Sequence, residues 1–161
     1  LALAREHLGL RRAPGLRVRH ADGRSFLASQ GRGGWDAVVI DAFVGAVVPR
    51  ALITVEALAG VARVAPLVLV NVLDNRTARE VRTVGAALTL AYPRVWGLGA
   101  RAGNTILVGA AVELDLDRIA AAAAADPSPT RIMRPDAVAL LIGGTPPLRD
   151  AEVGGAEIGG A

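Results

Sequence analysis

The order of apolar and polar positions along the chain predicts helices and strands that alternate. Apolar residues recur every three or four positions in the helical stretches, while strand stretches alternate or are continuously apolar. In chain order the pattern predicts helix 1–10, strand 16–20, helix 24–30, strand 36–43, helix 54–64, strand 68–72, a helix capped by Asp74 or Asn75 and running to about Tyr92, strand 94–99, strand 105–112, a helix opened by Asp115 or Asp117 and running to about Ala125, and helix 135–142.

This alternation predicts an α/β fold with one mostly parallel sheet. The continuously apolar stretch VVI within 36–43 is typical of a strand whose sheet is covered on both faces. Gly103 and Asn104 resemble a tight turn, so the last two strands should form a hairpin and add an antiparallel strand near the sheet edge. We expect residues 1–142 to form this domain and 143–161 to be a glycine-rich, poorly ordered tail.

Size and composition restrict the class of protein. The chain has 161 residues, which suits one domain, and 52% of them are hydrophobic. No apolar run approaches the roughly 18 residues that a membrane span requires, and no stretch has the order of a signal peptide. There is no cysteine, which excludes disulfides and a thiol nucleophile. We therefore expect a cytoplasmic location.

The charge pattern does not predict a nucleic-acid surface. The net charge is +3, and all 18 basic residues are arginines spread along the chain, with aromatic residues at only 3%. The two histidines, His7 and His20, have no metal-ligand spacing with each other or with a carboxylate pair. We therefore predict no metal site, no nucleic-acid partner and a small-molecule ligand.

Three polar residues follow the predicted strands at or near their carboxyl ends. Asp22 comes two positions after the first strand, Asp41 lies at the end of VVID, and Asn71 lies near the end of the third strand. Ligands of open α/β sheets bind beyond these ends. We therefore expect the three side chains to line one crevice, although they are far apart in sequence.

Each of these residues also has a structural interpretation. Asp22 precedes Gly23, and an Asp-Gly pair after a strand often only forms a turn or caps a helix; the alternative is a carboxylate that accepts a hydrogen bond from an exocyclic amine such as that of adenine. A carboxylate closing an apolar strand is costly to bury alone. For Asp41 the alternatives are therefore a structural ion pair with an arginine and a functional role. Asn71 is interpreted as a structural hydrogen-bonding residue.

Several stretches, in this order, resemble the spermidine synthase family, and in particular bacterial spermidine-synthase-like polyamine aminopropyltransferases. The resemblance extends from residue 1 to about residue 112, and related S-adenosylmethionine methyltransferases share its outline. The stretches that carry it are LAREHLGL, LRVRHADGRSFL, WDAVVIDAFVGAVVPRALITVEAL, PLVLVNVLD and GNTILVGA.

The resemblance implies a Rossmann-like methyltransferase fold and a role for each matching residue. Asp22 matches the aspartate that contacts the adenine of decarboxylated S-adenosylmethionine or methylthioadenosine, and Gly23 matches the residue that lets the base approach. Asp41 matches the acidic residue that deprotonates and orients the attacking amine, and it forms the amine site with Ala42 and Phe43. The nucleoside is a co-substrate, and no permanently bound cofactor is implied.

The chain also departs from the family pattern. Family members resemble D-S-T-D-P where this chain has D-A-F-V, so Val44 replaces a second amine-binding carboxylate. The glycine-rich loop, the ribose-binding acid and the first two strands of the family lie upstream of what residue 1 matches. We expect either a piece of a longer protein or strands that pair again, with a second copy as one candidate partner, because a sheet without its centre exposes apolar edges.

Three hypotheses for the function follow. The first is a spermidine-synthase-like aminopropyltransferase of polyamine biosynthesis, which transfers a propylamine group from decarboxylated S-adenosylmethionine to an amine. The second is a methyltransferase that uses S-adenosylmethionine itself, favoured by Val44 and the apolar loop that follows it. The third is a non-catalytic module that binds a nucleoside or another protein.

Overall fold

The computed structural model describes residues 2–11, 13–74, 77–99, 103–127 and 130–153. Six helices and five strands are assigned in these ranges, together with two short 3₁₀ turns at Arg50–Leu52 and Asp150–Glu152. In chain order they are α1 (Ala2–His7), α2 (Gly23–Ala28), β1 (Val38–Ile40), α3 (Val55–Val64), β2 (Leu67–Asp74), α4 (Arg79–Ala91), β3 (Arg94–Gly99), β4 (Gly103–Ala110), α5 (Leu116–Ala125), β5 (Arg131–Met133) and α6 (Pro135–Ile142).

The five strands form one sheet in the order β1-β2-β4-β3-β5. Only β1 and β2 pair in parallel, whereas β2–β4, β3–β4 and β3–β5 are antiparallel. The fold is α/β as expected, but the prediction of a mostly parallel sheet was wrong. The cause is the position of β4, which folds back between β2 and β3 and so gives both of them an antiparallel neighbour.

Two further strand predictions need correction. Residues 16–20 form no strand, and Leu16 and Val18 are 50% and 38% exposed. An extended segment needs a neighbouring strand to satisfy its backbone groups, and the described residues provide none for this one. By contrast, β5 was not predicted, because three residues between breaks are too few to show a period.

Short polar side chains cap the first turns of α3 and α5. Thr54 precedes α3 and its hydroxyl accepts a hydrogen bond from the backbone N–H of Ala57 at 3.1 Å. Asp115 caps α5 in the same way through Arg118 N at 2.9 Å. The predicted cap of α4 was misplaced: Asp74 ends β2, the helix begins after Ala78, and Asn75 lies outside the described residues.

The sheet is covered unequally on its two faces. On one face α3, α4 and α6 bury the main core, which includes Leu58, Leu88 and Leu107, all fully buried. On the other face α5 covers Trp96 of β3 and its neighbours on β4. Val39 of β1 remains 66% exposed. Strand residues alternate between faces, so Asp41 follows Val39 onto this open part of the second face.

Part of the predicted tail packs against the domain. Leu148 is buried in the main core, and its carbonyl accepts a hydrogen bond from the N–H of Val55 at 2.9 Å. The carboxylate of Asp150 forms a bidentate ion pair with Arg24 of α2. Leu148 and Asp150 therefore hold this part of the predicted tail against the folded domain. Residues 154–161 lie outside the described ranges, and the division of the chain at residue 142 stays a prediction.

The ion pair of Arg24 and Asp150 is expected to make stability depend on pH in acid. The hydrogen bond from Arg24 is the main cause that holds the pKa of Asp150 below its usual value of 3.8. The pair therefore stabilises the fold fully above that value, and its contribution is lost as the pH falls through the lowered pKa. We expect Arg24→Gln to lower the free energy of unfolding by about 0.5–1 kcal/mol at neutral pH, because both side chains are partly exposed.

Urea unfolding at neutral pH and in acid tests this expectation. The difference between Arg24→Gln and the unsubstituted chain should shrink once Asp150 is protonated. The part that remains reports the hydrogen bonds that Arg24 donates to Ala51 O and Thr54 Oγ1. Arg134→Gln is the matched control, because its partner Asp117 is 88% exposed and the pair should contribute almost nothing. A constant difference at all pH values would contradict the assignment.

Candidate functional site

The site is a cavity of about 340 Å³ beside the carboxyl end of β1. It is lined by one face of α2, by the residues leading into β1, and by the residues that follow the strand. Asp41 is the only ionisable residue among the described residues that line it. The residues that line the cavity are Gly23, Phe26, Leu27, Trp35, Ala37, Val38, Val39, Ile40, Asp41, Ala42 and Leu52.

Asp41 lies at the end of β1 and is exposed to solvent. One of its carboxylate oxygens, Oδ1, accepts a hydrogen bond from Nδ2 of Asn71 on β2 at 2.9 Å. The two strands run in parallel, with Ile40 beside Val70, so the next residues along each strand are neighbours on the same face. None of the described arginines forms an ion pair with Asp41. Within the part of the chain that the structure describes, a structural ion pair is therefore not what holds this carboxylate.

Asn71 has an unsatisfied acceptor and lies beside the site, but it does not line the cavity. Its Oδ1 is enclosed and has no hydrogen-bond partner among the described residues, while its amide nitrogen is committed to Asp41. An enclosed carbonyl oxygen without a donor costs about 1–3 kcal/mol. The structural interpretation of Asn71 explains only one end of its amide.

Asp22 caps α2 and does not line the cavity. Its Oδ1 accepts a hydrogen bond from the backbone N–H of Ser25 at 2.8 Å. This bond is the main cause that holds the pKa of Asp22 below its usual value of 3.8. The helix-cap interpretation is therefore confirmed. A contact of Asp22 with adenine stays a prediction, and the carboxylate lies at the first turn of the helix whose Gly23 lines the cavity.

The remaining predicted residues divide into two groups. Gly23 and Ala42 line the same cavity as Asp41, so the structure brings together residues that are about twenty positions apart. Phe43 is 38% exposed and lies outside the cavity lining, at the start of a tight loop in which Val44 bridges to Val47. The part of the chain that the structure describes holds no cluster of His, Asp or Glu suited to a metal ion.

Sequence reasoning missed the aromatic wall of the cavity. Phe26 of α2 and Trp35 before β1 have ring centroids 6.4 Å apart, at an interplanar angle of 55°. Trp35 is 45% exposed although it is a large apolar side chain. A tryptophan directly before a strand, in a chain with few aromatics, was the available signal.

Comparisons with known proteins identify the fold. No protein-family model matches the chain, and no curated protein matches it either. Among solved structures, a probable spermidine synthase from Corynebacterium glutamicum ATCC 13032 matches with a TM-score of 0.81 and 24% sequence identity. The match covers 92% of this chain and 59% of that one. No described helix is both long and apolar enough to span a bilayer. The resemblance drawn from the sequence is thus confirmed at the level of the fold: this chain has the α/β fold of part of a probable spermidine synthase.

Proposed function

We propose that the cavity at Asp41 is the site of an aminopropyl transfer of the kind that builds polyamines. The supporting observation is that one carboxylate stands alone in an apolar, aromatic-walled cavity at the carboxyl end of β1. Apolar cavities of this size with few polar groups are typical small-molecule sites. The fold is that of part of a probable spermidine synthase, which agrees with the proposal.

The chemistry needs a base at the position of Asp41. An amine is mostly protonated at neutral pH, and an ammonium has no lone pair with which to attack. The Asp41 carboxylate would attract the ammonium and accept its proton. The freed lone pair then forms a bond to the propyl carbon of decarboxylated S-adenosylmethionine. The bond from that carbon to the sulfonium breaks, its electrons stay on sulfur, and methylthioadenosine leaves.

The nucleoside would occupy the end of the cavity away from Asp41. Gly23 presents no side chain there, and Phe26 and Trp35 offer ring surfaces on which a purine can stack. In this proposal the purine lies at the Gly23 end of the cavity and the amine lies at the Asp41 end.

A methyltransferase that uses S-adenosylmethionine is the second candidate, and the loop after Asp41 favours it. Phe43, Val44 and Val47 are 38%, 69% and 46% exposed, so the approach to the carboxylate is apolar. A diamine would bring its second ammonium against these side chains with no carboxylate to pair with it. Assays with putrescine and decarboxylated S-adenosylmethionine, compared with methyl transfer from S-adenosylmethionine, separate the two.

Calorimetry with methylthioadenosine tests nucleoside binding apart from turnover. We expect binding, and Gly23→Ala should weaken it by about tenfold or more because a methyl group would occupy the base end. The change should be tolerated by the fold, since the new Cβ would lie 3.5 Å from Leu52 Cδ2, an ordinary contact.

Gly60→Ala is the control for this substitution. Gly60 lies in α3 with nothing within 4 Å of the added Cβ. The Gly60→Ala variant should therefore bind methylthioadenosine as tightly as the unsubstituted chain does. Absence of binding to the unsubstituted chain would instead support the third hypothesis in its second form, a non-catalytic module that binds another protein. Equal affinities of Gly23→Ala and the unsubstituted chain would remove Gly23 from the site.

A further inference from the structure

A second cavity of about 320 Å³ adjoins the one at Asp41 and has the opposite charge. The two share Gly23, Phe26 and Trp35, so the aromatic pair forms a wall common to both. On its far side the second cavity is lined by Arg17 and Arg19. We call this second cavity the arginine cleft; Ala21 and Gln30 complete its lining.

The arginine cleft carries positive charge without a described counter-charge. Arg17 and Arg19 also line a neighbouring hollow of about 390 Å³, together with Arg5 and Arg11. Neither lining includes a carboxylate, and within the described ranges none of these four arginines forms an ion pair. Guanidinium groups in this state repel one another and are suited to bind phosphate or carboxylate by paired hydrogen bonds.

The wall of the arginine cleft suits a flat aromatic group. The guanidinium of Arg19 lies 5.9 Å from the centre of the Phe26 ring, a cation–π distance that holds it at the edge of the wall. Trp35 is tilted against Phe26 and nearly half exposed. An aromatic base stacked on Trp35 would therefore lie within the shared space, with its attached groups directed toward Arg17 and Arg19.

We propose that the arginine cleft binds a nucleotide, with the base on the wall formed by Phe26 and Trp35 and the phosphates on Arg17 and Arg19. Aromatic stacking with arginine–phosphate pairing is a general way to hold such ligands. The proposal does not depend on aminopropyl transfer, whose substrates are a neutral or cationic nucleoside and an amine. A nucleotide seated here would exclude methylthioadenosine, because both would use the shared wall.

Tryptophan fluorescence tests the proposal directly, because Trp96 is buried and Trp35 is exposed. Titrations followed by quenching of this emission give the two affinities. We expect ADP to bind at least about tenfold more tightly than adenosine, since each charge-assisted contact contributes on that scale. The double variant Arg17→Gln/Arg19→Gln should bind ADP and adenosine equally. Added salt should weaken ADP binding and leave adenosine binding unchanged.

Arg94→Gln is the control, because Arg94 is exposed at the start of β3 and forms no ion pair within the described ranges. It should bind ADP as the unsubstituted chain does. Equal affinity of the unsubstituted chain for ADP and adenosine would overturn the proposal, as would unchanged ADP binding in the double variant. Tighter binding of a single-stranded oligonucleotide than of ADP would also overturn it, because the cleft would then be part of a nucleic-acid surface.

Discussion

Asp41→Asn is expected to lower the rate of aminopropyl transfer by about 10²- to 10⁴-fold, the range over which a positioned base contributes. An amide oxygen cannot accept the amine proton at neutral pH, and it carries no charge to attract an ammonium. The substitution should preserve the local structure. Asparagine keeps the size of the side chain and an oxygen that can accept the hydrogen bond from Asn71 Nδ2. With aspartate this hydrogen bond is 2.9 Å long.

Initial rates in the intact protein, with saturating amine and nucleoside, measure this loss. Asp36→Asn is the matched control: it makes the same change five residues earlier, at an exposed position outside the cavity lining. Its rate should equal that of the unsubstituted protein. Affinity for methylthioadenosine should be kept in both variants, since the base end does not involve Asp41. An unchanged rate in Asp41→Asn would show that this carboxylate is not the base.

The helices were the part of the fold that the sequence predicts well. Helix α6 has the predicted bounds, and α3 begins at Val55, one residue after the predicted start, because 3.6-residue periodicity depends on neighbours in sequence. The strand β3 also has its predicted bounds. These elements carry their own signals, so a single sequence is enough to place them.

The order of the strands depends on contacts that no local pattern records. The sequence of residues 105–112 predicts a strand. It fits a position beside β3 alone as well as a position between β2 and β3. The observed register sets Leu107 of β4 opposite both Val70 and Gly97, which makes β4 central. Packing across the whole sheet determines this strand order. As a result the sheet is mostly antiparallel and not mostly parallel as predicted.

The candidate site was predictable in part for a similar reason. Strand ends meet at one edge of a sheet, so Asp41 and Asn71 were expected together and are hydrogen-bonded. The arginine cleft was not predicted, because the arginines are spread along the whole sequence. Only Arg17 and Arg19, two positions apart and so on one side of an extended segment, hinted at a shared surface.

Gly109→Ala is expected to destabilise the fold by about 1–3 kcal/mol through overpacking of the core. The added Cβ would lie 2.7 Å from Cδ2 of Tyr92 and 3.0 Å from Cγ1 of Val68. The Tyr92 ring cannot move away freely, because it is buried and its hydroxyl donates a hydrogen bond to the carbonyl of Ala65 at 3.2 Å. Either the ring or the central strand must shift.

Two measurements separate this cause from a general effect of replacing glycine. Urea unfolding should show the loss for Gly109→Ala and a gain of about 0.5–1 kcal/mol for Gly60→Ala, whose site in α3 is open. Burial raises the pKa of Tyr92 to about 12, and it is the only tyrosine of the chain, so an absorbance titration reports on it alone. If alanine displaces the ring toward water, the pKa of Tyr92 falls toward its ordinary value of 10.0. Unchanged stability in Gly109→Ala would mean that the core at this strand has more room than the contact distances imply.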